Sequence, residues 1–153
     1  NEAVNQALIE GAVGGIVAAD CKIGRSRYWA ANATVPVNEI SFRIVMTNVS
    51  SKPVTLSGDN FATTLDGTPI PPFNFSARDV GDADIWRTYD SLTIRPGEER
   101  SVALAYEISQ PTYDSWYRSS RTVAVSFTCG NQRVTYTKNS RSDEITVSDI
   151  ETL

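Results

Sequence analysis

Few side chains in this sequence can do chemistry at neutral pH. It holds no histidine, which removes Ser-His-Asp and Cys-His catalysis together with the commonest metal ligand. The two cysteines, Cys21 and Cys129, lie far apart and neither belongs to a C-x-x-C pair, so zinc and redox motifs are absent. Paired carboxylates can do acid–base work, as in glycoside hydrolysis. Here Glu98, Glu99 and Glu107 fall beside a turn or on the outward phase of a strand, where solvated surface is the better account. Asp79, Asp82 and Asp84 flank Gly81 on one loop, but the D-x-[DN]-x-[DN]-G pattern of a calcium loop is missing, and Arg78 and Arg87 stand nearby as ion-pair partners. The expectation is a protein that is not an enzyme, with no catalytic, cofactor-binding or metal-binding residue.

What remains is covalent modification. Three N-x-[ST] sequons occur, at Asn32, Asn48 and Asn74, all in segments that read as loops or turns. They nominate these asparagines as glycan acceptors, with unmodified side chains as the alternative. A Cys21–Cys129 disulfide is expected over two buried thiols, because Cys129 ends a strong core strand and the sequons suggest export. Closing so long a loop would contribute about 4–5 kcal/mol in the chain-entropy model.

Composition limits the partners. At 153 residues with 41% apolar and 21% charged side chains, the chain suits one globular domain rather than a disordered segment. Lys and Arg number 14 against 18 Asp and Glu, for a net charge of −4, and no basic patch points to nucleic acid. No apolar run is long enough to span a bilayer. No basic n-region opens the sequence, so no intact signal peptide is expected, and an exported form would start at a processed Asn1.

The elements that must position these groups are strands. In Glu39 to Leu56, Ile40, Phe42, Ile44 and Met46 point one way while Ser41, Arg43 and Thr47 point the other, the period of a half-buried strand. Asn48-Val-Ser-Ser-Lys-Pro turns the chain and Val54 and Leu56 return, which predicts a hairpin. Asp66-Gly67 predicts a two-residue hairpin turn. Arg95-Pro-Gly-Glu and Gly130-Asn131 predict further turns between Leu92–Ile94, Ser101–Ile108, Arg121–Cys129 and Gln132–Thr137. About eight or nine short strands at regular spacing argue an all-β antiparallel sandwich. Its expected core includes Ile40, Phe42, Ile44, Leu104, Tyr106, Val123, Val125 and Phe127. Residues 71–91 and 111–120 read as long loops carrying Phe73, Phe75, Trp86, Tyr113, Trp116 and Tyr117, which either close the ends of the sandwich or contact a protein or glycan ligand.

Residues 1 to 20 differ from the rest, being rich in Ala, Gly, Val and Ile with no aromatic, Lys or Arg. Gly11, Gly14 and Gly15 disfavour a helix. A helix over 2–9 and a strand over 10–23 with small apolar residues on both faces are expected. The division is an extension over 1–20 followed by a sandwich over 21–153.

The runs ISFRIVMTNVSSKPVTL, FATTLDGTPI and LTIRPGEERSVALAYEI resemble, over roughly residues 37–137, the immunoglobulin-like extracellular domains of prokaryotic secreted and surface proteins. The resemblance implies an immunoglobulin-like sandwich, an extracellular or cell-surface location, and a role in adhesion, assembly or inhibition. The N-terminal extension is similar in character to the donor strands of prokaryotic filament subunits. That likeness implies head-to-tail self-association, with Leu8, Ile9, Val13, Ile16 and Val17 as assembly residues that leave their own domain for a neighbour's open edge. An ordinary first strand within its own sheet is the competing account. A monomeric secreted binding, adhesion or inhibitor module, using the aromatic loops, is the second function.

Overall fold

In the computed structural model, residues 11–72, 74–81 and 85–153 are described. Two antiparallel sheets pack face to face. The first has the order β1 (Ile16–Tyr28), β2 (Val37–Asn48), β9 (Glu99–Glu107), β6 (Asn74–Asp79) and β7 (Arg87–Thr88). The second runs β12 (Ile145–Val147), β11 (Gln132–Asn139), β10 (Thr122–Cys129), β4 (Phe61–Leu65) and β5 (Thr68–Ile70), and β13 (Glu151–Thr152) also pairs with β11. A two-stranded ribbon of β3 (Val54–Leu56) and β8 (Leu92–Ile94) completes the sandwich. A short α-helix, α1 (Gln110–Asp114), starts at a Ser109 cap whose hydroxyl accepts from the Thr112 amide.

Alternation in the sequence becomes alternation in burial. Along β2, Ile40, Phe42, Ile44 and Met46 are buried while Arg43 is exposed. The inward rows of β9 and β10 do the same with Val102, Leu104 and Tyr106, and with Val123, Val125 and Phe127. All eight expected core residues are buried. Aromatic rings join the layers: Phe42 of the first sheet lies 6.0 Å from both Phe61 and Tyr136 of the second, and Phe61 stacks on Phe127 at 5.1 Å. The fold is the expected all-β antiparallel sandwich.

Three expectations change. β2 and β3 do not form a hairpin: β2 pairs with β1 and β9, whereas β3 pairs with β8. A strand flanked on both sides has no free edge for β3, and the turn after Asn48 carries the chain to the separate ribbon. The segment 71–91 is not one long loop, because β6 and β7 fall inside it and Phe75 enters the core. The boundary at residue 20 falls inside β1, and Ala12, Val13 and Ile16 already belong to the core. The helix expected over 2–9 lies outside the described residues.

Candidate functional site

The side chains with chemical potential do not converge. Cys21 and Cys129 are free thiols, which corrects the expected bridge. Cys21 lines a cleft beside Tyr136. Tyr136 is the cross-strand partner of Val125, four residues before Cys129 on β10. At about 3.3 Å per residue that places the cysteines at levels ~13 Å apart, beyond the roughly 7 Å between Cα atoms that a disulfide tolerates. Cys129 instead packs on Gly14, its thiol 3.8 Å from the Gly14 carbonyl. Burial pushes the Cys21 thiol up to about 12 and raises Cys129 as well, so neither is a ready thiolate nucleophile.

Asn48 is a second correction. Its side chain is fully buried. The amide nitrogen donates to the carbonyls of Lys52 and Ile94, each at 2.8 Å, and its carbonyl accepts from the Ser50 amide and hydroxyl. An amide with both protons committed inside the protein offers no atom to a glycan. Asn32 sits exposed in a loop with φ +62°. Asn74 is half-buried on the outer face of β6, accepting from the Thr88 hydroxyl at 3.2 Å.

The acidic loop is partly visible. Asp79 pairs with the Arg100 guanidinium at 2.9 Å, while Asp82 and Asp84 lie outside the described residues. Among the described residues no group of three or more His, Cys, Asp or Glu could hold a metal ion.

The aromatic segments mostly close the sandwich. Trp116 is 1% exposed. Tyr113 lies under two guanidinium groups, Arg25 at 4.3 Å and Arg27 at 4.0 Å from its ring centre, and Arg27 also pairs with Asp114 at 3.1 Å. Trp86 lies on the outer face of the first sheet between Arg43 and Arg78. Of the aromatics in 111–120, only Tyr117 is largely exposed.

An apolar cleft of about 420 Å³ lies between edge strands β1 and β12. One wall is Ile16, Ala18 and Cys21 of β1, with Ile44 of β2 behind them. The other is Phe127, Val134 and Tyr136, with Ile145, Val147 and Ile150 at the rim. Asp20 and Ser148 are its few polar side chains. Such a lining can bury apolar side chains; among the described residues its one carboxylate is Asp20, with a thiol held protonated by burial beside it. Burial drives the Tyr136 phenol up to about 12, with Cys21 adding to the rise.

Local backbone builds the mouth of this cleft. Gly14 and Gly15, at φ +57° and +86°, make the tight turn by which Val13 and Ile16 exchange hydrogen bonds of 2.9 and 3.0 Å. Positive φ at both central residues is what a two-residue hairpin turn requires. The turn points residues 11–13 back along the free edge of β1, and Gly11 lines the cleft. β1 bends further on, where its register shifts between Ala19 and Lys22 and Asp20 takes φ +55°. Of the expected assembly residues, Val13 and Ile16 are buried in their own domain and Val17 pairs with Thr47. They serve the chain's own sandwich, which corrects the expectation that they leave it. Leu8 and Ile9 lie outside the described residues. The strand expected over 10–23 is interrupted here, with Gly14-Gly15 forming a turn and β1 starting at Ile16, and the sequence carries no mark of the cleft, which exists only where two distant edges meet.

No family model matches the chain, and no curated protein matches it. Solved structures do. The ycdA protein from Bacillus subtilis, a putative lipoprotein by its description, is 9% identical with a TM-score of 0.50, the match covering 86% of this chain and 38% of that one. An uncharacterized β-sandwich protein from Clostridium difficile is 15% identical with a TM-score of 0.47, covering 81% and 83% of the two chains. The yjhA protein from Bacillus subtilis is 14% identical with a TM-score of 0.45, covering 74% and 73%. At these identities the similarity is one of fold alone.

Proposed function

We propose that this protein is a structural subunit of a cell-surface filament or layer, assembled by strand donation between copies. The observation that carries the proposal is the apolar cleft left between β1 and β12, with the chain arriving at its mouth at Gly11. An edge strand offers unpaired backbone groups, and a cleft beside it offers sockets for alternate side chains, which is what β-augmentation needs. The surface location follows the resemblance to secreted immunoglobulin-like domains, and the free thiols add nothing to it.

The donor in this reading is residues 1–10 of a second copy, not the whole extension over 1–20, since Val13 and Ile16 hold the core of their own domain. Val4, Leu8 and Ile9 supply its apolar side chains. Ten extended residues reach about 33 Å, enough to follow the roughly 17 Å of β1 from Ile16 to Cys21 that lines the cleft. Repetition of a head-to-tail contact that does not close gives an open polymer.

The test is the size of the native particle, by light scattering and electron microscopy. Full-length protein at high concentration should form a ladder of polymers. Residues 11–153 should remain monomeric and bind a peptide of residues 1–10 one to one. A full-length chain that stays monomeric at high concentration overturns the reading; peptide binding without polymers would then mean that the segment only closes its own cleft.

A further inference from the structure

The loop joining β1 to β2 stands apart from the rest of the surface. From Tyr28 to Asn38 eleven consecutive residues carry no charge, in a chain whose charged fraction is 21%. Tyr28 and Val37 are the last pair of the β1–β2 ladder, so residues 29–36 form a tip beyond the sheet. Every residue from Arg27 to Val35 is exposed, including Trp29 at 63%, Val35 at 66% and Tyr28 at 46%. Tyr117, 61% exposed, lies near the same end, its ring 4.6 Å from the Arg25 guanidinium. Large apolar side chains gathered at one tip call for a partner, whereas singly scattered ones do not.

We infer that this tip docks shallowly into the interface of a lipid bilayer. With every residue from Arg27 to Val35 exposed, the tip offers a partner protein no enclosed socket and enters one only if the partner supplies it. Sugar recognition needs converging hydrogen-bonding side chains beside the aromatic ring, and the loop has only Asn32 and Thr34. A lipid interface needs neither a pocket nor such groups. Trp and Tyr favour that depth, with the ring in apolar surroundings and the N–H or O–H among headgroups and water. The backbone limits penetration: within the tip a single internal hydrogen bond is formed, Ala33 amide to Ala30 carbonyl at 3.0 Å. The remaining peptide groups need headgroup or water partners and cannot enter hydrocarbon. Charge attraction is not the driving force. Arg27 is already engaged by Asp114 and Tyr113, and a net charge of −4 disfavours anionic lipid.

The contact requires an unmodified Asn32, and it stands independently of strand donation. The test is co-sedimentation of the full-length protein with phosphatidylcholine vesicles, paired with quenching of tryptophan fluorescence by brominated lipid. Wild type should partition onto the vesicles with partial quenching, because Trp116 is buried while Trp29 is exposed. Trp29→Ser should lower partitioning about tenfold or more and abolish the quenching. Val35→Ser, at a second exposed site, should lower partitioning by a smaller factor and leave Trp29 to report. Absence of wild-type binding, equal binding by both variants, or an intact mass showing a glycan on Asn32 of the native protein would each overturn the inference.

Discussion

Asn48 anchors the turn after β2 with four side-chain hydrogen bonds, while its backbone amide donates to the Glu98 carbonyl and its carbonyl accepts from the Gly97 amide. It thereby ties the β2–β3 turn to the β8–β9 turn. Asn48→Ala takes the donor from the buried Ile94 carbonyl, while the Lys52 carbonyl loses one donor and keeps the Ser50 hydroxyl. The expected loss is about 1–3 kcal/mol, the cost of one deserted buried group, measured as a shift in urea midpoint at constant slope. Ser50→Ala removes a partly exposed partner and should cost less, with Asn48→Asp worse than either because a carboxylate cannot donate. A sequon was visible at this position and its burial was not, because N-x-S describes three residues while the solvation of the first depends on β8 packing over it.

Among the elements β1 is decisive, since it forms one wall of the cleft and its N-terminal turn sets where the chain enters. Gly14 has two reasons to be glycine. Its φ is +57°, and a Cβ there would meet the Cys129 sulfur at 2.5 Å and the Cys129 carbonyl oxygen at 2.7 Å. Gly14→Ala should cost about 1–3 kcal/mol from backbone strain, with the steric clash adding to it. Gly24 lies on the same strand, where an added Cβ would meet nothing within 4 Å and φ is not positive; Gly24→Ala should be neutral or stabilising by up to about 1 kcal/mol. Equal losses at both positions, read from thermal denaturation, would show that the turn does not hold β1 in place.

At the scale of the whole molecule, the core is sensitive to alkali. Burial raises the Cys21 thiol and the Tyr106 and Tyr136 phenols to about 12, from 9.0 for a thiol and 10.0 for a phenol. The folded state therefore holds these protons more tightly than the unfolded one. Their contribution to stability is complete below about pH 9 and falls as pH rises from there towards about 12. Urea midpoints taken stepwise upward from about pH 8 should decline through this window, and Tyr136→Phe should soften the decline. The hydroxyl of Tyr106 is buried against Thr63, which lowers its pKa, though less than burial raises it.

The strands themselves were written in the order of residues. The alternation of Ile40, Phe42, Ile44 and Met46, and of Val123, Val125, Phe127 and Cys129, is a local property, because neighbouring side chains on a strand must face opposite ways. The turns at Asp66-Gly67 and Arg95-Pro-Gly-Glu were legible for the same reason: Asp66 and Gly67 both take positive φ, and Gly97 has φ +79°. Pairing was decided elsewhere. Whether β3 returns to β2 or joins β8 depends on which edges remain free once β1 and β9 have claimed β2, and no local pattern records that. The same holds for the cysteines, whose separation is set by strand registers, and for Trp116, whose loop folds it inward. The cleft between β1 and β12 belongs wholly to the tertiary structure: it is the space left where two sheets, joined through the core, part at one edge.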